Sequence, residues 1–399
     1  MRAGSWPSIG LIYFFGVLVP ASLGKVIPMQ ADFAQHLGAS PEAFGLYVSL
    51  LMLPAALLGA VGGGVVERIG PVRTLVVSAL LAALTNIGYY FATDMLQFQV
   101  LRIVEGIGLV GVFTAAPALI MATTSGQRRT QAMSLWTTYT PVGFSLGLAL
   151  AAPFVGGPAW KNSFALHALL FIVVGLCALK LPRVARSADL PQSNAGRRWA
   201  ALLDPYRQSG PLRLALAFGT LAFMGFGTSA VFPALFAQAQ QVSIGTASSI
   251  LALCNLAMIA GSFLAGALRV RGVGGGRLMV ACALGGVLAS LGIFTPGVPA
   301  VLAVAALSVW LLVSGAAMAV VLITLSEVVD DPRRGAAAAG LLSQVAAIVT
   351  FVTPPIWLPI LAQGQWWLMC GFVLVFSLLS VALLPTHRAR AAQAVLKAG

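Results

Sequence analysis

Twelve apolar runs, each about twenty residues or longer, set the terms on which this chain can fold. They lie near 9–31, 43–66, 72–93, 96–121, 131–154, 161–181, 213–238, 244–268, 276–295, 299–325, 335–361 and 366–385. A helix rising 1.5 Å per residue needs about 20 such residues to cross about 30 Å of hydrocarbon. Hydrophobic residues make up 59% of the 399 and charged residues 8%, where a soluble domain carries about 25% charged. A soluble domain of this length has too small a core to hide so much apolar surface. Lipid is therefore the main solvent. In lipid only helices and closed barrels satisfy the backbone, and barrel strands would alternate in polarity, which these runs do not. The expected fold class is an all-α membrane protein with twelve transmembrane helices.

An even number of spans places both ends on one side. Of 23 Lys and Arg residues, 20 fall on that side: Arg2, the loops near 68–73 and 128–129, the segment 180–213, the loops 269–277 and 333–334, and the tail. Lys161 lies opposite, and Lys25 and Arg102 lie inside runs. The excess of positive charge predicts cytoplasmic termini for a multi-pass protein of a cytoplasmic (inner) membrane. Topology thus explains the net charge of +13. A nucleic-acid partner is not expected, whereas the basic face suits anionic lipid. The opening MRAGSWPS leads into an apolar stretch without a small-residue cleavage site, which predicts a retained first span and not a signal peptide.

Chemistry-bearing residues are sparse. Cys177, Cys254, Cys282 and Cys370 each sit in an apolar run with no C-x-x-C spacing, and the three histidines are scattered. These patterns read as membrane-buried thiols, with no metal or cofactor expected. The spans carry no grouped nucleophile and base, so an enzyme is not expected.

Residues 182–212 form the only long polar segment and read as a cytoplasmic linker between 1–181 and 213–399. The two parts resemble each other. Arg128 and Arg333 are 205 positions apart, as are Pro28 and Pro233, and Gly63 has Gly266 at an offset of 203. Two repeated six-helix halves around a central path are a known transporter plan.

The stretch GGGVVERIGPVRTL at 62–75 interrupts this apolar background. Gly63 and Gly64 let another helix approach closely. Gly70 and Pro71 turn the chain and start the third span, since proline suits a first helical turn. Arg68 stands near carbonyls carrying partial negative charge. A solvated turn with topology-setting arginines would account for the same residues.

The stretch resembles the loop between helices 2 and 3 of the major facilitator superfamily, G-x-x-x-D-R-x-G-x-x-[RK], with Gly63, Glu67, Arg68, Gly70 and Arg73 in the matching places and Glu for the usual Asp. A second family pattern in helix 4, R-x-x-[QE]-G-x-G, appears as Arg102, Glu105, Gly106 and Gly108. The resemblance covers essentially the whole chain. It implies a monomeric secondary transporter built from two pseudo-symmetric six-helix bundles. It also implies that Glu67 clasps the start of helix 11 near Gly335, flanked by Arg333 and Arg334, as an inner gate. The helix 5 signature of drug–proton antiporters, with its G-P-x-x-G core, is incomplete: Thr140 precedes Pro141, and the glycines are Gly143 and Gly147.

Three charged side chains lie well inside the spans: Lys25, Arg102 and Glu105. Such charges face a cavity and pair, because each costs at least about 2.5–3.5 kcal/mol in mid-bilayer. Arg102 and Glu105 share a helix face. Lys25 and Glu105 both lie about 8–12 Å below the end remote from the termini. If the first and fourth spans line one cavity, as the resemblance implies, the three form a cluster with a surplus of one positive charge. That surplus suits an anionic substrate group, or Glu105 exchanges a proton; a permanent salt-bridge network that only fixes packing is the rival reading. Lys25 snorkelling to water is another.

The second half offers neutral contacts: Asn255, Trp310 and Gln344. Trp136 and Trp310 read as packing or pocket walls. Trp6, Trp160, Trp199, Trp366 and Trp367 fit an interfacial aromatic belt. His167 and Asn86 read as ordinary interior polar groups. The expected function is movement of a small organic solute by alternating access, with protons as the expected coupling ion. Import of an organic anion and antiport export of drugs, siderophores or metabolites both fit, and a non-transporting membrane receptor is the competing class.

Overall fold

In the computed structural model the described residues are 2–57, 69–136, 138–182, 209–328 and 332–385, and among them every regular element is a helix. They are α1 (Trp6–Gly24), a short 3-10 turn (Ile27–Met29), α2 (Gln30–Leu37), α3 (Pro41–Leu50), α4 (Pro71–Phe91), α5 (Met95–Thr123), α6 (Gly126–Trp136), α7 (Tyr139–Ala151) and α8 (Asn162–Ala178). Then follow α9 (Ser209–Gln240), α10 (Ile244–Cys254), α11 (Ala257–Val270), α12 (Gly275–Phe294), α13 (Ala300–Val328), α14 (Pro332–Ala362) and α15 (Trp366–Leu383). Nine of the described helical segments are long and apolar enough to cross a membrane, and α7 and α8 are shorter apolar helices. With the second run, which α3 begins, these account for the twelve apolar stretches. The protein is an all-α, multi-pass membrane protein.

Local sequence sets the helix starts. Pro71 occupies the first turn of α4, and Gly70 before it takes φ 88°, a left-handed region that glycine enters without a Cβ penalty. Ser40, Asp94 and Ser243 cap α3, α5 and α10 by accepting backbone N–H bonds. Four of the apolar runs are interrupted among the described residues. The first turns at Lys25, the second at Leu51 and Met52, the fifth divides between α6 and α7, and the eighth divides after Cys254.

The chain forms two compact units. The first comprises Met1–Leu190, Ala230–Leu256 and Phe351–Ala362. Within it α1 packs on α7 with almost no side chain between them. A Cβ on Gly143 would stand 2.1 Å from the Val17 carbonyl oxygen, and one on Gly147 2.4 Å from that of Ala21. Gly143 and Gly147 thus bring two backbones together. The α4 helix packs against α5 and α8. Gly45 of α3 lies against the backbone of Pro354 and Pro355, and Gly245 of α10 against the Ala152 carbonyl. The second unit comprises Pro191–Ser229, Ala257–Thr350 and Gln363–Gly399. In it α13 packs against α11 and α12, and α12 against α15.

Candidate functional site

The site begins where α1 ends. Gly24 is the last residue of that helix and Lys25 its C-cap, so the lysine side chain leaves from a turn. Its backbone is held by the approach of α7, since a Cβ on Gly147 would lie 2.7 Å from the Lys25 nitrogen. Lys25 is fully buried, and Nζ donates to Asn86 Oδ1 on α4. Nζ also lies 2.8 Å from His167 Nδ1 on α8 and 3.6 Å from Glu105 Oε1 on α5. An ammonium has donors only, so Nδ1 accepts.

Glu105 gathers the other contacts. Arg102 Nη1, one helical turn away, donates to Oε2 at 2.9 Å, and the Tyr89 hydroxyl donates to the same oxygen at 3.0 Å. Asn86 Nδ2 donates to Oε1 at 3.1 Å. Oε2 thus accepts two hydrogen bonds and Oε1 one, with the Lys25 ammonium beside Oε1 as an ion-pair partner. Arg102 is different. Its guanidinium lies 5.0 Å over the Tyr47 ring, yet its Nε and Nη2 are buried without a hydrogen-bond partner. Leaving such donors unsatisfied is costly. Lys25, Arg102 and Glu105 are all 0% exposed, and their formal charges sum to one positive.

The structure therefore brings Lys25, Arg102 and Glu105 together, and adds Asn86, Tyr89 and His167. Asn86 and His167 were expected to be ordinary interior groups; instead Asn86 bridges Lys25 and Glu105 and His167 accepts from Lys25, because α4 packs against both α5 and α8. A lone neutral polar residue in an apolar span looks alike in either role, so only its charged neighbours on other helices reveal it. Snorkelling of Lys25 to water is overturned by its complete burial.

Aromatic rings close the end of this cluster remote from the termini. Phe33, Phe44, Tyr47, Tyr89, Phe98 and Phe164 are at most 1% exposed. Phe33 stands 4.8 Å from Tyr47 and 4.9 Å from Phe98, and Phe98 5.8 Å from Trp160. Trp160, expected at the lipid interface, is 3% exposed and belongs to this plug. Its position in sequence marks depth in the membrane, whereas its burial follows from which rings surround it. Trp6 and Trp367 are exposed, at 46% and 59%.

The remaining expected residues are dispersed. Asn255 is buried at the break after α10, donating to the Pro141 carbonyl at 2.8 Å and Ser145 Oγ at 3.1 Å. Trp310 is buried in the second unit beside a small cavity shared with Met224, Met279 and Cys282. Gln344 is half-buried on α14. Gly70 caps α4 and Arg73 is exposed. Gly63, Glu67 and Arg68 lie outside the described residues, and the side chains of Arg333 and Arg334 at the start of α14 do too. Arg269 pairs with Glu327 at the ends of α11 and α13.

Comparison with known proteins agrees with this architecture. A glucose transport protein of Synechocystis is 28% identical over 205 residues, covering 48% of this chain and 42% of the relative. A cis,cis-muconate transport protein of Acinetobacter baylyi is 24% identical over 276 residues, covering 66% and 67%. The matches span under half the length of the first relatives. Among solved structures, a bacterial homologue of the human lysosomal transporter Spinster, in an inward-facing and unoccupied conformation, superposes with a TM-score of 0.80. It shares 15% identity, with 95% of this chain and 97% of that chain covered, a likeness of fold. Residues 9–354 match the profile of the Major Facilitator Superfamily, and with nearly the whole length spanned, this chain belongs to that family.

Proposed function

We propose that the protein is a secondary active transporter that moves a small organic solute by alternating access, with protons exchanged at the Lys25–Glu105–Arg102 cluster. One observation carries this reading: three ionised side chains are wholly buried among α1, α4, α5 and α8, joined by Asn86, Tyr89 and His167, with two guanidinium nitrogens left unpartnered. Arginine stays charged in proteins, so the protons that can move belong to Lys25, Glu105 and His167. Releasing one from the state with both cations charged makes the trio formally neutral. The surplus positive charge and the likeness to a muconate transport protein support an organic anion as substrate. In this reading residues 1–181 and 213–399 rock as two halves joined by 182–212, and Glu67, Arg68 and Arg73 with Arg333 and Arg334 close the cytoplasmic gate. The termini then face the cytoplasm and the monomer suffices.

The test is uptake into proteoliposomes of the purified protein, with and without an imposed pH gradient, using organic acids, sugars and cationic drugs as candidates. Saturable flux that the gradient accelerates supports the reading. Non-saturating flux identifies a channel, and ligand binding without flux identifies a receptor; either rejects it.

A further inference from the structure

At the end remote from the termini, α4 and α8 leave between them a groove of about 250 Å³. Its walls are Ile87, Tyr90 and Phe91 on one side and Leu169 and Ile172 on the other, each 38–72% exposed. The floor is made by Ala165 and by Ala168, which is 2% exposed. From Ala165 to Ile172 the helix advances about 10 Å, most of the roughly 15 Å depth of one hydrocarbon leaflet. An alanine floor between bulky walls has the cross-section of an alkyl chain.

A cation stands at its mouth. Lys161 is the N-cap of α8, one turn before Ala165, and its Nζ donates to the carbonyl of Ala92, the residue after Phe91, at 2.6 Å. Two of the three ammonium donors remain, and among the described residues no carboxylate pairs with it. The rings of Trp160 and Phe98, at 5.6 and 5.8 Å, hold it in place. We propose that this groove binds one anionic phospholipid, its phosphate on Lys161 and an acyl chain along α4 and α8. Ala168 adjoins His167, so the occupant bears on the helix that delivers His167 to the buried cluster.

Native mass spectrometry of the full chain, titrated with phosphatidylglycerol or phosphatidylcholine, tests this. One lipid should be retained with about a fivefold preference for phosphatidylglycerol, the factor that one basic side chain supplies at an anionic surface. Lys161→Gln should erase the preference, Lys161→Arg should keep it, and Ala165→Trp, which fills the groove, should reduce retention of both lipids. Melting temperatures in detergent establish that each variant is folded. If Lys161→Gln fails to fold, Lys161→Arg and Ala165→Trp decide. An unchanged preference in Lys161→Gln, or undiminished retention in Ala165→Trp, overturns the proposal. So does displacement of phosphatidylglycerol by equimolar inorganic phosphate, which would make Lys161 a simple anion site.

Discussion

Glu105 holds the buried cluster together, because it alone balances two cations. Its replacement by Gln keeps acceptor and shape but removes the charge. If Glu105 couples protons, Glu105→Gln abolishes gradient-driven accumulation in proteoliposomes while exchange persists; unchanged accumulation removes Glu105 from coupling. The pair Lys25–Glu105 should also be energetically coupled. Leaving one buried charge without its partner costs about 3–5 kcal/mol, so Lys25→Met combined with Glu105→Gln should melt higher than Glu105→Gln alone. A coupling below about 0.5 kcal/mol in that cycle would show the two to be independent. Lys25, Arg102 and Glu105 were legible because ionised groups are rare in apolar runs. Asn86, Tyr89 and His167 were not, since neutral polar groups occur in spans for many reasons and their charged partners come from other helices, Lys25 from the end of α1 and Glu105 from α5.

Among the elements, α1 and α7 show how small residues position charge. Apolar length was enough to locate spans, and Gly70 and Pro71 to place the start of the third. The interruptions at Lys25 and Asn255 were not readable, because hydropathy continues through them and tertiary packing decides where a helix turns. The contact of α1 with α7 has no room for a methyl group at Gly143. Gly143→Ala should lower stability by about 1–3 kcal/mol, the range for overpacking a filled core, and displace Lys25 indirectly. A fall in melting temperature is expected and, if the cluster couples protons, weaker gradient-driven uptake with it; an unchanged melting temperature would mean that the helices part at no cost.

For the whole molecule, twelve apolar runs and the bias of basic residues announced the membrane fold, and two short motifs announced the family. The arrangement of residues around the second motif became visible only in three dimensions. If Glu67 clasps the start of α14, Glu67→Ala should increase labelling of single cysteines placed along the inner cavity; equal labelling would reduce the loop to a turn. At Gly45 and Gly245 the first unit is sealed by bare main chain pressed on main chain. Such a seam is fragile in heredity: one added methyl acts as a wedge between the two backbones while leaving every ion untouched.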